Sequence, residues 1–124
     1  MRFFIIVPSS LIVLTIIAII GANQGTFDPQ ELYPTPENAE EFLRRGELYE
    51  ETGEYEKALA DYNQAEQLVP NDSDVYLGQG ASLAALNQPA AAIEKYLIVK
   101  DIDQQEGRST HIIDDLIARE REKL

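Results

Sequence analysis

One pattern of large and small residues occurs twice in this chain, 34 residues apart, and it limits the fold more than any other feature. In residues 39–72 (AEEFLRRGELYEETGEYEKALADYNQAEQLVPND), Phe42, Gly46 and Tyr49 recur at steps of four and three, which puts them on one side of a helix. Gly53 breaks that helix. Tyr55, Ala58, Tyr62 and Ala65 then share one side of a second helix, which Pro70 stops because it has no N–H to continue the ladder. Gly46 and Ala58 are small where two antiparallel helices would approach closely, and Phe42, Tyr49, Tyr55 and Tyr62 fill the space beside them. In the second copy Tyr76, Gly80, Leu83 and Asn87 stand where Phe42, Gly46, Tyr49 and Gly53 stood. Pro89, Ala92, Tyr96 and Val99 replace Tyr55, Ala58, Tyr62 and Ala65, and Gln104 takes the place of the stopping proline. Pro89 suits a first helical turn, where its missing N–H costs nothing.

After a connector at 104–108 (QQEGR), residues 109–124 (STHIIDDLIAREREKL) read as one last helix. Ile112, Ile113, Leu116 and Ile117 would form its apolar stripe, and Ser109 or Thr110 would cap its start. The expected fold is all-α: two helix hairpins and a capping helix.

This arrangement resembles the tetratricopeptide repeat family. Phe42, Gly46, Tyr49, Gly53, Tyr55, Ala58, Tyr62, Ala65 and Pro70 all agree with the family pattern, and Arg45 departs from it where the family prefers leucine. The resemblance implies a repeat domain over 36–124, with repeat one at 39–72, repeat two at 73–106 and a capping helix at 109–124. Arrays of this kind draw most of their stability from neighbouring repeats and usually contain about three, so two repeats predict stacking on a partner or self-association.

The N-terminus has a different composition. Phe3 to Ile20 (FFIIVPSSLIVLTIIAII) contains no charge and would span about 27 Å as a helix, close to the thickness of a bilayer core. Residues 1–22 are expected to be a single transmembrane helix and anchor. The alternative is a signal sequence cleaved to release a secreted domain, which the bulky Ile19 and Ile20 near the candidate cleavage sites disfavour. Arg2 precedes the run, and the first charges after it are Asp28 and Glu31, which predicts a cytoplasmic N-terminus and an extracytoplasmic repeat domain, in the periplasm or a lumen. Residues 23–35 read as a linker, mostly extended and rich in Gly, Pro and polar residues.

Composition narrows the chemistry. The net charge is −12, and residues 26–70 hold twelve acids against three bases. Such a field repels phosphate backbones, and no basic stripe offsets it, so nucleic acid is not an expected partner. The absence of cysteine removes disulfides, thiolate metal sites and a cysteine nucleophile. A single histidine, His111, supports neither a metal site nor a Ser/His/Asp arrangement, and Glu40, Glu41, Glu50 and Glu51 fall in a charged stretch suited to solvent. No catalytic residue, cofactor or metal is expected, and the chain does not read as an enzyme.

What remains is a binding surface. In the family, the first helix of each repeat lines a concave groove. The resemblance implies groove positions at Leu43, Glu47 and Glu50 in repeat one and at Leu77, Ala81 and Ala84 in repeat two. Some members clamp a terminal carboxylate there with lysine and asparagine; Leu43 and Glu47 occupy the corresponding places and do not support that activity. A groove of leucine, alanine and glutamate suits a basic or amphipathic protein segment. A competing reading has the second-repeat alanines packing beneath the last helix. The expected function is a membrane-tethered protein–protein interaction module, adaptor or assembly factor, anchored through residues 3–20. The alternative is a permanent accessory subunit of a membrane complex, with Pro8-Ser9-Ser10 suited to helix–helix contact in lipid.

Overall fold

A computed structural model describes residues 27–124. The apolar run, with the membrane helix or signal sequence expected over 1–22, lies outside the described residues, as does the first part of the linker. Among the described residues no helix is long and apolar enough to cross a membrane.

Six helices follow one another, and the described residues contain no strand: α1 (Pro29–Leu32), α2 (Ala39–Glu51), α3 (Tyr55–Leu68), α4 (Ser73–Ala85), α5 (Pro89–Gln105) and α6 (His111–Arg121). Each of α2 to α5 packs on the next, and α6 closes the series against α5. The pairs α2/α3 and α4/α5 are the two hairpins expected from the repeated pattern. Turns of three residues join the helices of each hairpin, which forces them antiparallel.

Both hairpin turns use one device. Gly53 has φ 79° and Asn87, 34 residues on, has φ 57°. In each turn the left-handed residue donates its N–H to the carbonyl three back (Gly53 to Glu50, 3.0 Å; Asn87 to Ala84, 3.1 Å). The following residue donates to the carbonyl five back (Glu54 to Tyr49, 2.7 Å; Gln88 to Leu83, 2.9 Å). Two otherwise orphaned helix-end carbonyls are thereby satisfied. Asparagine serves in the second turn because it tolerates this conformation best after glycine. Gly107 (φ 70°) ends α5 in the same way. With Gln104 where repeat one has Pro70, α5 runs to Gln105, two residues into the connector expected at 104–108, and is three residues longer than α3.

Two cores form, one centred on each hairpin, with Val75 of α4 closing the first. Tyr49, Ala58, Tyr62, Ala65 and Val75 form the first, with Ala39, Phe42 and Leu43 against it. Tyr76, Leu83, Ala92, Ile93, Tyr96 and Val99 form the second, which also takes in Ile113 and Ile117 of α6. A Cβ added to Gly46 would lie 2.7 Å from Cε1 of Tyr62, and one added to Gly80 would lie 2.5 Å from Cε1 of Tyr96. The aromatic ring of one helix therefore rests on the bare backbone of its partner in both hairpins.

Three further expectations are corrected. Within the linker, Pro29–Leu32 is one turn of helix, not extended chain: Asp28 accepts from the Gln30 N–H at 2.9 Å, and Pro29 is buried against α2. In α6 the apolar stripe is narrower than four residues. Ile113 and Ile117 are buried and Leu116 packs beside them, while Ile112 is 72% exposed, because adjacent helix residues point about 100° apart. Thr110 sits at the cap position of α6 but does not cap it; its hydroxyl donates to Asp114 at 3.1 Å.

Candidate functional site: a concave face between the first helices of the two repeats

Helices α2 and α4 lie side by side, and the surface between them holds two adjoining clefts. The smaller, of about 210 Å³, is lined by Leu43, Glu47, Glu50, Tyr62, Asp74, Leu77, Gly78 and Ala81. The larger, of about 510 Å³, runs on from it and is lined by Glu47, Glu50, Glu51, Tyr55, Ala81 and Ala85. Five of the six groove positions expected from the repeat, Leu43, Glu47, Glu50, Leu77 and Ala81, meet in the smaller cleft. Ala84 lines neither and packs against the second core. Ala81 is therefore open to the clefts and does not pack beneath the last helix.

The floor is set by Tyr62. Its ring lies between two glycines: a Cβ at Gly46 would stand 2.7 Å from Cε1, and one at Gly78 would stand 2.5 Å from Cζ. Gly46 belongs to the recurring pattern; Gly78 does not, and only the packing reveals its part. The Tyr62 hydroxyl donates to Oε2 of Glu50 at 2.7 Å, which fixes that carboxylate at the boundary of the two clefts. Burial, then the bond to Glu50, pushes the phenol well above its usual range, so Tyr62 remains a donor.

The rim is acidic. Burial raises Glu47 above the usual carboxylate range, with Asp74, Glu51 and Glu50 adding repulsion against the opposing pull of Arg44. Burial also raises Glu50, partly offset by the Tyr62 hydroxyl. Arg44 approaches Glu47 at 3.6 Å from an exposed position. Neither cleft is lined by a lysine or arginine.

Glu51, Asp74, Tyr55, Gly78 and Ala85 were not among the expected groove residues. Four of them continue the same helical stripes: Glu51 is four residues after Glu47, Asp74 is three before Leu77, Gly78 is four after Asp74, and Ala85 is four after Ala81. Tyr55 begins α3 and reaches the cleft from the turn.

On the outer side, Arg45 explains the departure from the family pattern. Its Nε and Nη2 donate to the two carboxylate oxygens of Asp61 on α3, each at 2.7 Å, and Nη1 donates to the Tyr33 carbonyl at 3.0 Å. The guanidinium also lies over the rings of Phe42 and Tyr49, at 5.9 and 5.8 Å. One side chain thus joins the linker, α2 and α3, and Asp61 is buried beneath it. His111 is exposed, 3.8 Å from Asp115. Among the described residues no three His, Asp or Glu side chains converge in a way that would hold a metal ion.

A family model described as a TPR repeat matches residues 46–87, from the middle of α2 through α3 and α4 to the second hairpin turn. No curated protein and no solved structure matches the chain. The matched segment contains Gly46 and Gly78, the ring of Tyr62 that separates them, and most of the concave face. Paired hairpins at a 34-residue period and the matching repeat model make residues 46–87 similar to a tetratricopeptide repeat.

Proposed function

We propose that this chain is a membrane-tethered protein–protein interaction module that serves as an adaptor or assembly factor for a membrane or envelope complex. The observation that carries the reading is the uncovered concave face: α6 shields the second core but leaves Leu43, Leu77 and Ala81 lining an open cleft. Repeats of this family hold protein partners, and the described residues offer a recessed surface of mixed apolar and acidic character suited to one. Tethering rests on the uncharged run from Phe3 to Ile20, and the extracytoplasmic placement of the domain rests on Arg2 before that run and Asp28 and Glu31 after it.

The test is chemical cross-linking of the tagged full-length protein in its native membrane, followed by mass spectrometry of the captured chains. Several partners at substoichiometric yield support the adaptor reading. One partner retained at equal stoichiometry through detergent extraction would replace it with a permanent subunit. Recovery of the protein in the soluble fraction, with an intact mass lacking residues 1–22, would remove the tether. Protease added to sealed vesicles of known orientation reads the side on which the domain lies.

A further inference from the structure

Resting on the reading of the concave face as a protein-binding surface, we infer that its occupant is an internal, lysine- or arginine-bearing amphipathic segment of another polypeptide. In this arrangement the segment's aliphatic side chains lie over Leu43, Leu77 and Ala81, and its cations sit along Glu47, Glu50 and Glu51.

Three features of the groove lead there. The first is the order of its lining. Leu43, Leu77, Gly78, Ala81 and Ala85 form an apolar track, while Glu47, Glu50, Glu51 and Asp74 edge it. A purely apolar helix would desolvate those carboxylates further and bring no cation to offset the cost. The second is the missing counter-charge. No base lines either cleft, and Arg44, exposed outside them, is shared between Glu47 and Glu40. The third is fixity. Glu50 is held by the Tyr62 hydroxyl at 2.7 Å, and Tyr62 is wedged between Gly46 and Gly78, so at least one carboxylate is positioned before any ligand arrives. Desolvation already strains Glu47 and Glu50 as anions, and a cation placed beside them relieves that strain. The same field repels a free terminal carboxylate, so the segment is internal and not a chain end.

The test uses the full-length protein in neutral detergent and a fluorescein-labelled peptide of alternating lysine and leucine, amidated at its C-terminus, read by fluorescence anisotropy. Two companion peptides carry glutamine in place of lysine, or a free carboxylate at the end. The lysine peptide is expected to bind about tenfold more tightly than the glutamine peptide at low salt, and to lose most of that advantage at high ionic strength. In the variant Glu47→Gln/Glu50→Gln/Glu51→Gln, which keeps an acceptor for Tyr62, the advantage is expected to disappear. The variant Glu56→Gln/Glu94→Gln/Glu122→Gln removes the same charge from exposed positions away from the groove and is expected to bind within about twofold of the original, because distant exposed charges are screened. Equal loss in the two variants overturns the inference, since the attraction would then belong to net charge alone. If the glutamine peptide binds as well as the lysine peptide and Ala81→Arg abolishes both, the groove binds protein but the cationic class is wrong. If neither peptide binds the original protein, the groove reading fails with it.

Discussion

At the scale of single residues, two side chains test how this fold is held. Arg45 and Asp61 form a two-point ion pair with side-chain exposures of 15% and 6%, and the Tyr33 carbonyl takes a third guanidinium N–H. Restoring the leucine that the family prefers, Arg45→Leu, leaves Asp61 buried without a partner and is expected to cost about 3 kcal/mol in urea denaturation. Arg45→Leu/Asp61→Leu removes the stranded charge along with the pair and is expected to recover most of the loss; an equally unstable double variant would show that the packing of Arg45 over Phe42 and Tyr49 matters more than the charge. Gly78 poses a question of space. Alanine there favours the helix by about 1 kcal/mol, yet its Cβ would lie 2.5 Å from Cζ of a ring that Gly46 already blocks on the other side. Because Tyr62 has nowhere to retreat, Gly78→Ala is expected to be destabilising by about 1–3 kcal/mol, and much less so in a Tyr62→Leu background. A net gain in stability for Gly78→Ala would mean that the ring is free to shift.

At the scale of helices, most of the fold was legible and the exceptions share a cause. The hairpins were readable because helix period alone decides which of Phe42, Gly46, Tyr49, Tyr55, Ala58 and Tyr62 share a side, and Gly53 and Asn87 mark their turns by needing positive φ. The end of α5 was not readable in the same way: the connector expected at 104–108 begins two residues late, because Gln104 continues the helix where Pro70 stops α3. The one-turn helix α1 was not readable, since four residues carry no period; its stability comes from the Asp28 cap and from contact with α2, which only the folded chain supplies. Nothing in the sequence marks Asp61 as buried; its burial depends on Arg45 folding across it from α2. In α6, Ile112 and Ile113 are equally apolar and only packing chooses between them. Ile113→Ala is therefore expected to lower stability by about 2–4 kcal/mol by opening a cavity against Tyr96 and Val99, and Ile112→Ala to change it by less than about 0.5 kcal/mol, both read by thermal melts. Equal effects would mean that α6 is rotated about its axis from the position described. The groove positions came from the resemblance and not from helix period, and Ala84 falls outside the clefts because it lies about 100° around α4 from Ala85, on the side that packs against the second core.

At the scale of the whole molecule, charge works against compactness, and the concave face is where folding concentrates the conflict. The net charge of −12 leans toward residues 26–70, and α2 and α4 together bring Glu47, Glu50, Glu51 and Asp74 to one surface. Burial raises Glu47 and Glu50 above the ordinary glutamate value of 4.5. A carboxyl with a raised value in the folded state binds protons more readily there than in the unfolded chain. Its ionisation therefore destabilises the fold, and the penalty is relieved as pH falls through the window between the raised value and 4.5. Glu66 acts in the opposite sense. Burial pushes it up, but the Gln79 amide at 2.6 Å and Lys95 outweigh burial and hold it below 4.5, so its contribution is present above that value and is lost as pH drops further. Asp114, held low by Lys100 at 2.6 Å, works in the same direction as Glu66 at the exposed end of the molecule. Thermal stability is thus expected to rise from pH 7 to a maximum near about pH 5 and to fall below it, where paired carboxylates are titrated. General relief of net charge would give some of that rise, and Glu47→Gln/Glu50→Gln separates the two. This variant is expected to melt at or above the original at pH 7, to show a flatter slope down to about pH 5, and to meet the original near the maximum, because its two strained anions are already absent. Parallel melting curves across that range would assign the whole slope to net charge and deny the concave face any special tension. A converging pair would show that folding sets two anions against each other on this surface, where an incoming cation would relieve the repulsion much as protonation does.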